Sequence, residues 1–233
     1  MRPTVLITGA DEGLGLALAK RFLAGGYTVL AGQYRSDLSS LAELAARSPD
    51  LRTIPLDVTS EASVRAAAAE AELCSSRLDV LINNAGIHPP ASNNALPLVD
   101  FAAMERTLAV NAIGPLRVVQ RFLPLVLAGE KKLLVNISSE AGSIGACRRK
   151  AEFDYCMSKA ALNMQSKILQ NYLRDIGVKV LALHPGWMRT AMGGPDADLA
   201  PEEAADAIYN LAAAPPPLDG PIYLDYLGRE MPW

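Results

Sequence analysis

Apolar residues along this chain follow two alternating rhythms. Short, almost unbroken apolar runs, such as Thr4-Val-Leu-Ile-Thr8 and Leu133-Leu-Val-Asn-Ile137, suit strands buried on both faces. Between them lie longer segments with apolar residues three and four apart, the repeat of a helix with one buried stripe. Read in order, the runs predict strands over 4–8, 27–31, 52–56, 80–82, 133–137, 178–183 and 222–224. The helical patterns cover 16–23, a segment from Asp37, 61–73, 101–127, 154–176 and a segment from Pro201. Strand and helix alternate throughout, which predicts an α/β fold: a doubly wound parallel sheet of Rossmann type, helices on both faces, strand order 3-2-1-4-5-6-7. One domain over 1–233 is expected. Glycine and proline punctuate the pattern. Gly25-Gly26 and Gly177 end helices, Pro201 with Glu202 and Glu203 opens one, and Pro215-Pro-Pro217 breaks it. Pro115 and Pro124 mark boundaries or a kink within 101–127.

Composition narrows the function classes. Half of the 233 residues are hydrophobic and a fifth are charged, enough for a large core. A net charge of −3 and a pI near 5.5 give no basic surface for nucleic acid. No apolar run is long enough for a membrane span. The chain begins Met1-Arg-Pro-Thr and reaches a strand by Val5, so no signal peptide fits. Cys74, Cys147 and Cys156 are scattered, without metal spacing, and read as reduced thiols of a cytoplasmic protein. His88 and His184 have no metal partner and read as a loop residue and a structural residue.

The chemistry gathers at strand ends. After the first strand comes Gly9-Ala-Asp11-Glu12-Gly13-Leu14-Gly15, then a helix. Glycines there allow a tight turn and close backbone approach to a pyrophosphate, which the helix N-terminus then faces. The second strand runs into Gln33-Tyr34-Arg35. The third ends at Asp57-Val58, where a carboxylate either accepts from an adenine amino group or closes a turn. The fourth runs into Asn83-Asn84-Ala85-Gly86, small residues that admit a cofactor. Ser138 and Ser139 close the fifth strand. Downstream, Tyr155 and Lys159 are four apart, one turn apart on one helix face. An ammonium beside a phenol favours phenolate and lowers the tyrosine pKa, which makes a tunable acid/base.

Thr8-Gly9-x-x-x-Gly13-x-Gly15, Asp57, Asn83-Asn-Ala-Gly86, Asn111, Ser139, Tyr155-x-x-x-Lys159 and Pro185-Gly186-x-x-x-Thr190 occur here in order. Together they resemble the short-chain dehydrogenase/reductase family, from Val5 to about Tyr226. His184-Pro-Gly-Trp187, Met192-Gly-Gly194 and the final tryptophan look nearest to its C-factor/sniffer-like carbonyl reductases. The interval from Ser139 to Tyr155 is longer than the family's commonest pattern. The resemblance implies hydride transfer between a nicotinamide cofactor and a small carbonyl or alcohol. Tyr155 would be the acid/base, Lys159 its tuner and a ribose ligand, and Ser139 the donor to the substrate carbonyl. Asn111 would hold a relay water through its backbone carbonyl. Asn84, Ala85 and Gly86 would line the cofactor, with Pro185, Gly186, Met188 and Thr190 around the carboxamide. A homodimer or homotetramer is implied, through helices 101–127 and 154–176. A cofactor-binding regulator without turnover is the rival reading; the intact Ser139, Tyr155 and Lys159 set speaks against it. An epimerase or dehydratase is the other rival, though it usually needs a longer substrate domain.

Cofactor choice sets residues against each other. No acid stands at Gln33 or Tyr34 to grip adenosine ribose hydroxyls, and Arg35 is close enough for a 2′-phosphate. Against that, Glu12, preceded by Asp11, repels a phosphate if its side chain faces one; the alternative is that it points to solvent. The balance favours NADP(H), with NAD(H) possible. Elsewhere the plain readings stand: Cys156 small and buried, Trp187 and Trp233 packing, and Arg148-Arg-Lys150 a solvated loop. The minor alternative for that loop is attraction of an anionic substrate or carrier.

Overall fold

The computed structural model describes residues 2–233. Seven parallel strands form one sheet in the order β3-β2-β1-β4-β5-β6-β7, the order expected from the sequence. They are β1 (Thr4–Ile7), β2 (Thr28–Gln33), β3 (Leu51–Pro55), β4 (Val80–Asn83), β5 (Leu133–Ile137), β6 (Lys179–His184) and β7 (Tyr223–Asp225). The crossover helices are α1 (Gly13–Ala24), α2 (Ser39–Arg47), α3 (Glu61–Cys74), α4 (Phe101–Leu108), α5 (Gly114–Ala128), α6 (Phe153–Leu173) and α7 (Pro201–Ala213).

Strand alternation splits the core in two. Val5 and Ile7 of β1 face a cluster with Leu18 and Phe22 of α1 and Ile208 of α7. Leu6, on the other face, joins Val64 of α3, Phe122 of α5 and Leu173 of α6. Each such fully buried side chain contributes on the order of 1.5–3 kcal/mol by leaving water. A buried polar chain also ties the central strands to α6. Asn83 Nδ2 donates to Asn136 Oδ1 (2.8 Å), and Asn136 Nδ2 to Ser166 Oγ (2.8 Å).

The patterned helix 101–127 is present and continuous, with one widened turn inside it. Between α4 and α5 the backbone makes one π-helical turn, Ala109–Ile113, with Asn111 inside it. Pro115 follows this turn closely, and Pro124 lies further inside the helix. The helix expected over 154–176 closes at Leu173 and tightens into a 3₁₀ turn, Arg174–Ile176. The strand order reverses between β1 and β4, so their carboxyl ends diverge and leave a crevice.

Candidate active site

The crevice is a cavity of about 1070 Å³. Its floor is the turn between β1 and α1. Gly9 has φ +63°, a conformation open to glycine. A Cβ at Gly15 would lie 2.0 Å from the Gly9 carbonyl oxygen, so only glycine lets helix and turn approach this closely. The N-cap of α1, Glu12, makes no side-chain capping bond, and α1 carries no acid in its first turn. Its first N–H groups are therefore free to face a pyrophosphate, as Gly13, Leu14 and Gly15 line the cavity. Thr8 locks this floor to β4. Its hydroxyl accepts from the N–H groups of Asn84 (3.0 Å) and Ala85 (2.9 Å), while Asn84 Nδ2 donates to the Gly9 carbonyl (2.9 Å).

At the adenosine end, the Asp11 carboxylate does not face the cavity as a free charge. It accepts from the backbone N–H of Tyr34 (3.1 Å) and of Arg35 (3.1 Å). Arg35 pairs with Asp37 (2.8 Å) and lies 3.7 Å from Glu12. Tyr34 and Arg35 line the cavity, but Gln33 does not; its amide donates to the Arg35 carbonyl (3.2 Å). Asp57 closes a turn and also borders the cavity. Its Oδ1 accepts from the N–H and hydroxyl of Thr59 (2.8 and 2.7 Å), closing a turn, while the residue also lines the cavity beside Val58.

At the other end stand Ser139, Tyr155 and Lys159. Tyr155 lies in the first turn of α6, which begins after Glu152 in the left-handed conformation (φ +62°). Ser138 and Ser139 point apart, as strand alternation requires. Ser138 Oγ donates to Asn163 Oδ1 (2.6 Å), away from Tyr155, and the Ser139 hydroxyl lies against the phenol. Lys159 is 5% exposed, and its Nζ donates to the Ile137 carbonyl (2.9 Å). Burial lowers its pKa to about 8.

The Tyr155 pKa corrects the sequence argument. It is raised, chiefly by burial; the Ser139 hydroxyl and then Arg149 pull it down by less. Lys159 Nζ stands 5.6 Å from the ring centroid, and its ammonium does not outweigh desolvation of the phenolate.

Asn111 stands behind the wall rather than on it. Its side chain grips the backbone of Ile87, accepting from the N–H (2.8 Å) and donating to the C=O (2.9 Å), and also donates to Ser158 Oγ (3.0 Å). Pro185, Gly186, Met188 and Thr190 line the cavity after β6, where Thr190 Oγ1 accepts from Gly193 N–H (3.1 Å).

Several wall residues were read from sequence as idle. His88 lies against Tyr155, ring centroids 4.6 Å apart, and burial lowers its pKa. Arg149 bridges Glu140 and Glu152 across the mouth. Trp187, taken as packing, is 52% exposed at the cavity and donates to the Gly193 carbonyl (2.8 Å). Cys156 is half-buried, more open than the small buried residue expected. Nothing local marks these residues, because loops that meet only in the fold bring them together.

A family model described as short chain dehydrogenase matches residues 3–199. The chain belongs to the short-chain dehydrogenase family. As a member it is a nicotinamide-dependent oxidoreductase. It is 39% identical over 161 residues to C-signal of Myxococcus xanthus, covering 69% of this chain and 96% of that one. The crystal structure of an NADPH-bound carbonyl reductase from chicken fatty liver matches with a TM-score of 0.88 and 32% identity, over the whole of both chains. The carbonyl reductase Sniffer of D. melanogaster matches with a TM-score of 0.91 and 27% identity, again over both whole chains. The branch the sequence resembles is thus the one these relatives represent.

The buried lysine yields a prediction about this short-chain dehydrogenase without cofactor. A fall from 10.5 to about 8 corresponds to roughly 3 kcal/mol against burying the charge. The folded state binds this proton less tightly than the unfolded chain does. Its contribution to stability therefore rises with pH between about 8 and 10.5. Lys159→Met should melt no lower than the wild type at neutral pH, and its relative advantage should shrink toward pH 10 or so. Thermal melts across that range check it; a variant advantage that grows with pH overturns it.

Proposed function

We propose that this chain, acting as one domain over 1–233, uses NADP(H) to interconvert small carbonyl compounds and alcohols. The observation that carries the reading is the convergence of Tyr155, Ser139 and Lys159 on one cavity wall, with the open N-terminus of α1 on the same cavity. A nicotinamide cofactor, when bound there, would supply the hydride in reduction and accept it in oxidation. Ser139 holds the substrate carbonyl through its hydroxyl. Tyr155 donates its phenolic proton to the carbonyl oxygen; a raised pKa keeps that proton in place until it is needed. Lys159 keeps at least two of its three N–H donors for ribose hydroxyls, because one goes to Ile137. Asn111 holds the Ile87 loop and, through its backbone carbonyl, a water that returns the proton.

C-signal bears the name of a signal, which fits the rival reading of a regulator. The complete acid/base set weighs against that rival, since a sensor needs none. Tyr155→Phe should abolish reduction of a carbonyl the wild type accepts, while cofactor affinity stays within about twofold. Ser139→Ala should lower the rate on the order of a hundredfold or more, and Ser138→Ala much less. Turnover by Tyr155→Phe would remove the acid/base assignment.

NADP(H) is favoured because Gln33 and Tyr34, neither of them acidic, end β2, the Asp11 carboxylate beside them is taken up by the Tyr34 and Arg35 N–H groups, and Arg35 lines the cavity. The chicken carbonyl reductase that matches this chain is NADPH-bound. Glu12 and Asp37 hold Arg35 in place at some cost, since a 2′-phosphate must share it with them. Arg35→Ala should weaken NADP binding and leave NAD unchanged, and Glu12→Arg should strengthen NADP. Titration of both cofactors against the three proteins decides it. Tighter NAD binding by the wild type, insensitive to Arg35, sinks the preference.

A homodimer or homotetramer in the cytoplasm completes the reading. No described helix is long and apolar enough to cross a membrane. Phe101 on α4, Leu116 on α5, and Met164, Ile168 and Tyr172 on α6 are all exposed, an apolar surface suited to a second copy. Light scattering at micromolar concentration should report more than one chain per particle; a monomer there contradicts it.

A further inference from the structure

Tyr223 lies outside the cavity and outside every motif described above, yet it touches the catalytic segment. Its side chain is 1% exposed, and its hydroxyl donates to the Ser139 carbonyl (2.7 Å). The Gly142 N–H donates to the same oxygen (3.0 Å). These two donors fix the peptide that follows Ser139, and with it the Ser139 side chain, whose hydroxyl accepts from Ala141 N–H (3.2 Å).

Tyr223 is itself held from behind. The chain after β7 folds back: Leu224 bridges Glu230, and the Met231 N–H donates to the Tyr223 carbonyl (2.9 Å). This return lays the Trp233 ring on Tyr223, centroids 5.2 Å apart. It also places the Trp233 carbonyl to accept from Gly145 N–H (2.7 Å). A Cβ at Gly145 would stand 2.9 Å from that oxygen, so this contact closes tightly around glycine. From the helix side, Asn163 receives Ser138 Oγ and donates Nδ2 to the Gly142 carbonyl (3.1 Å). The segment from Ser138 to Gly145 is thus gripped on one side by α6 and on the other by β7 and its return.

We propose that Tyr223 is a positioning residue for Ser139: through the Ser139 carbonyl it sets where the serine hydroxyl meets the substrate oxygen. The proposal rests on the Ser139 role given above. A donor that stabilises developing charge works through placement, and a shift of a few tenths of an ångström weakens it. A phenol buried on a strand and hydrogen-bonded to backbone is stiffer than a loop would be alone. Trp233 supports that stiffness by packing on the ring.

Tyr223→Phe removes the hydroxyl and keeps the ring, so packing against Trp233 survives. The probe is p-nitrobenzaldehyde with NADPH, followed by loss of reduced-nicotinamide absorbance. In an otherwise wild-type protein, Tyr223→Phe should lower kcat by about five- to thirtyfold, with KM and NADPH affinity within twofold. In the Ser139→Ala background the same change should cost less than twofold, because the hydroxyl it positions is gone. Hydrogen exchange gives a readout independent of turnover: amides from Ala141 to Gly145 should exchange faster in Tyr223→Phe, with an unchanged melting temperature. Equal losses of rate in both backgrounds, or unchanged exchange over 141–145, would overturn the positioning role. Failure of the wild type to oxidise NADPH with any carbonyl would instead overturn the proposed function, and the exchange result would then judge the Tyr223 brace alone.

Discussion

Everything around the site is arranged to bury one cation. Lys159 sits in a slot at the carboxyl end of β5 with a backbone carbonyl as its hydrogen-bond partner, and among the described residues no carboxylate pairs with it. An isolated ammonium in that position is unfavourable, since water solvates it better than one carbonyl does. Small residues make the slot. A Cβ at Gly142 would come within 2.8 Å of the Lys159 backbone, and one at Gly86 within 3.7 Å of Nζ. The favourable terms that offset the charge are remote from it. Leu162, Leu169 and Leu173 of the same helix are buried, and Ser166 closes the polar chain from β4. The packing of α6 thus stabilises a residue that the fold alone would not select. A buried ammonium is poised for anionic or hydroxyl-bearing ligands because it has so few partners of its own.

That dependence explains what the sequence disclosed. Strand order follows from alternation of apolar runs and helices, because a right-handed crossover leaves few ways to place each new strand. The motifs are legible because they are local: a glycine turn must lie between β1 and α1, and Tyr155 and Lys159 must share a face of α6. The period of a strand sends Ser138 and Ser139 to opposite faces, and the resemblance to the family picks Ser139 of the two. The direction of the Tyr155 pKa was not legible in the same way. The lysine four residues on is visible in sequence, but the desolvation that outweighs it belongs to the assembled wall. Gln33 shows the same limit. Its strand position is clear, but only the fold shows its amide turned to Arg35 instead of the cavity.

The widened turn inside helix 101–127 has a related cause. Apolar periodicity averages over a whole window, so one widened turn at 109–113 leaves it almost unchanged. What holds the turn is tertiary: Asn111 satisfies both backbone groups of Ile87, twenty-four residues earlier in the chain. An asparagine inside a helix pattern is common, and nothing near it names its partner. Single π-helical turns often accompany functional sites, and this one holds the loop that carries His88 over Tyr155. Asp154 secures the same loop from α6, accepting from Ser92 Oγ (2.7 Å) and Thr107 Oγ1 (3.0 Å).

The charge at the mouth follows from those loops as well. Arg148-Arg149-Lys150 reads in isolation as a basic run that could draw in an anion. In the fold Arg149 faces two carboxylates, Glu140 and Glu152, and Arg148 Nη1 turns to the Cys147 carbonyl (2.8 Å). Burial lowers the His88 pKa, so that ring adds no dependable positive charge. Arg149 thus meets two carboxylates at the mouth. An arriving anion must displace one of them and then face the other. Arg149 acts more directly on the chemistry than on recruitment. Its field lowers the Tyr155 pKa, after the larger pull of the Ser139 hydroxyl, while Glu140 raises it by less. Desolvation is left as the dominant influence, and the phenol stays protonated for its role as donor. Trp187 and Met192, both about half exposed beside the cavity, add apolar surface to this charged mouth.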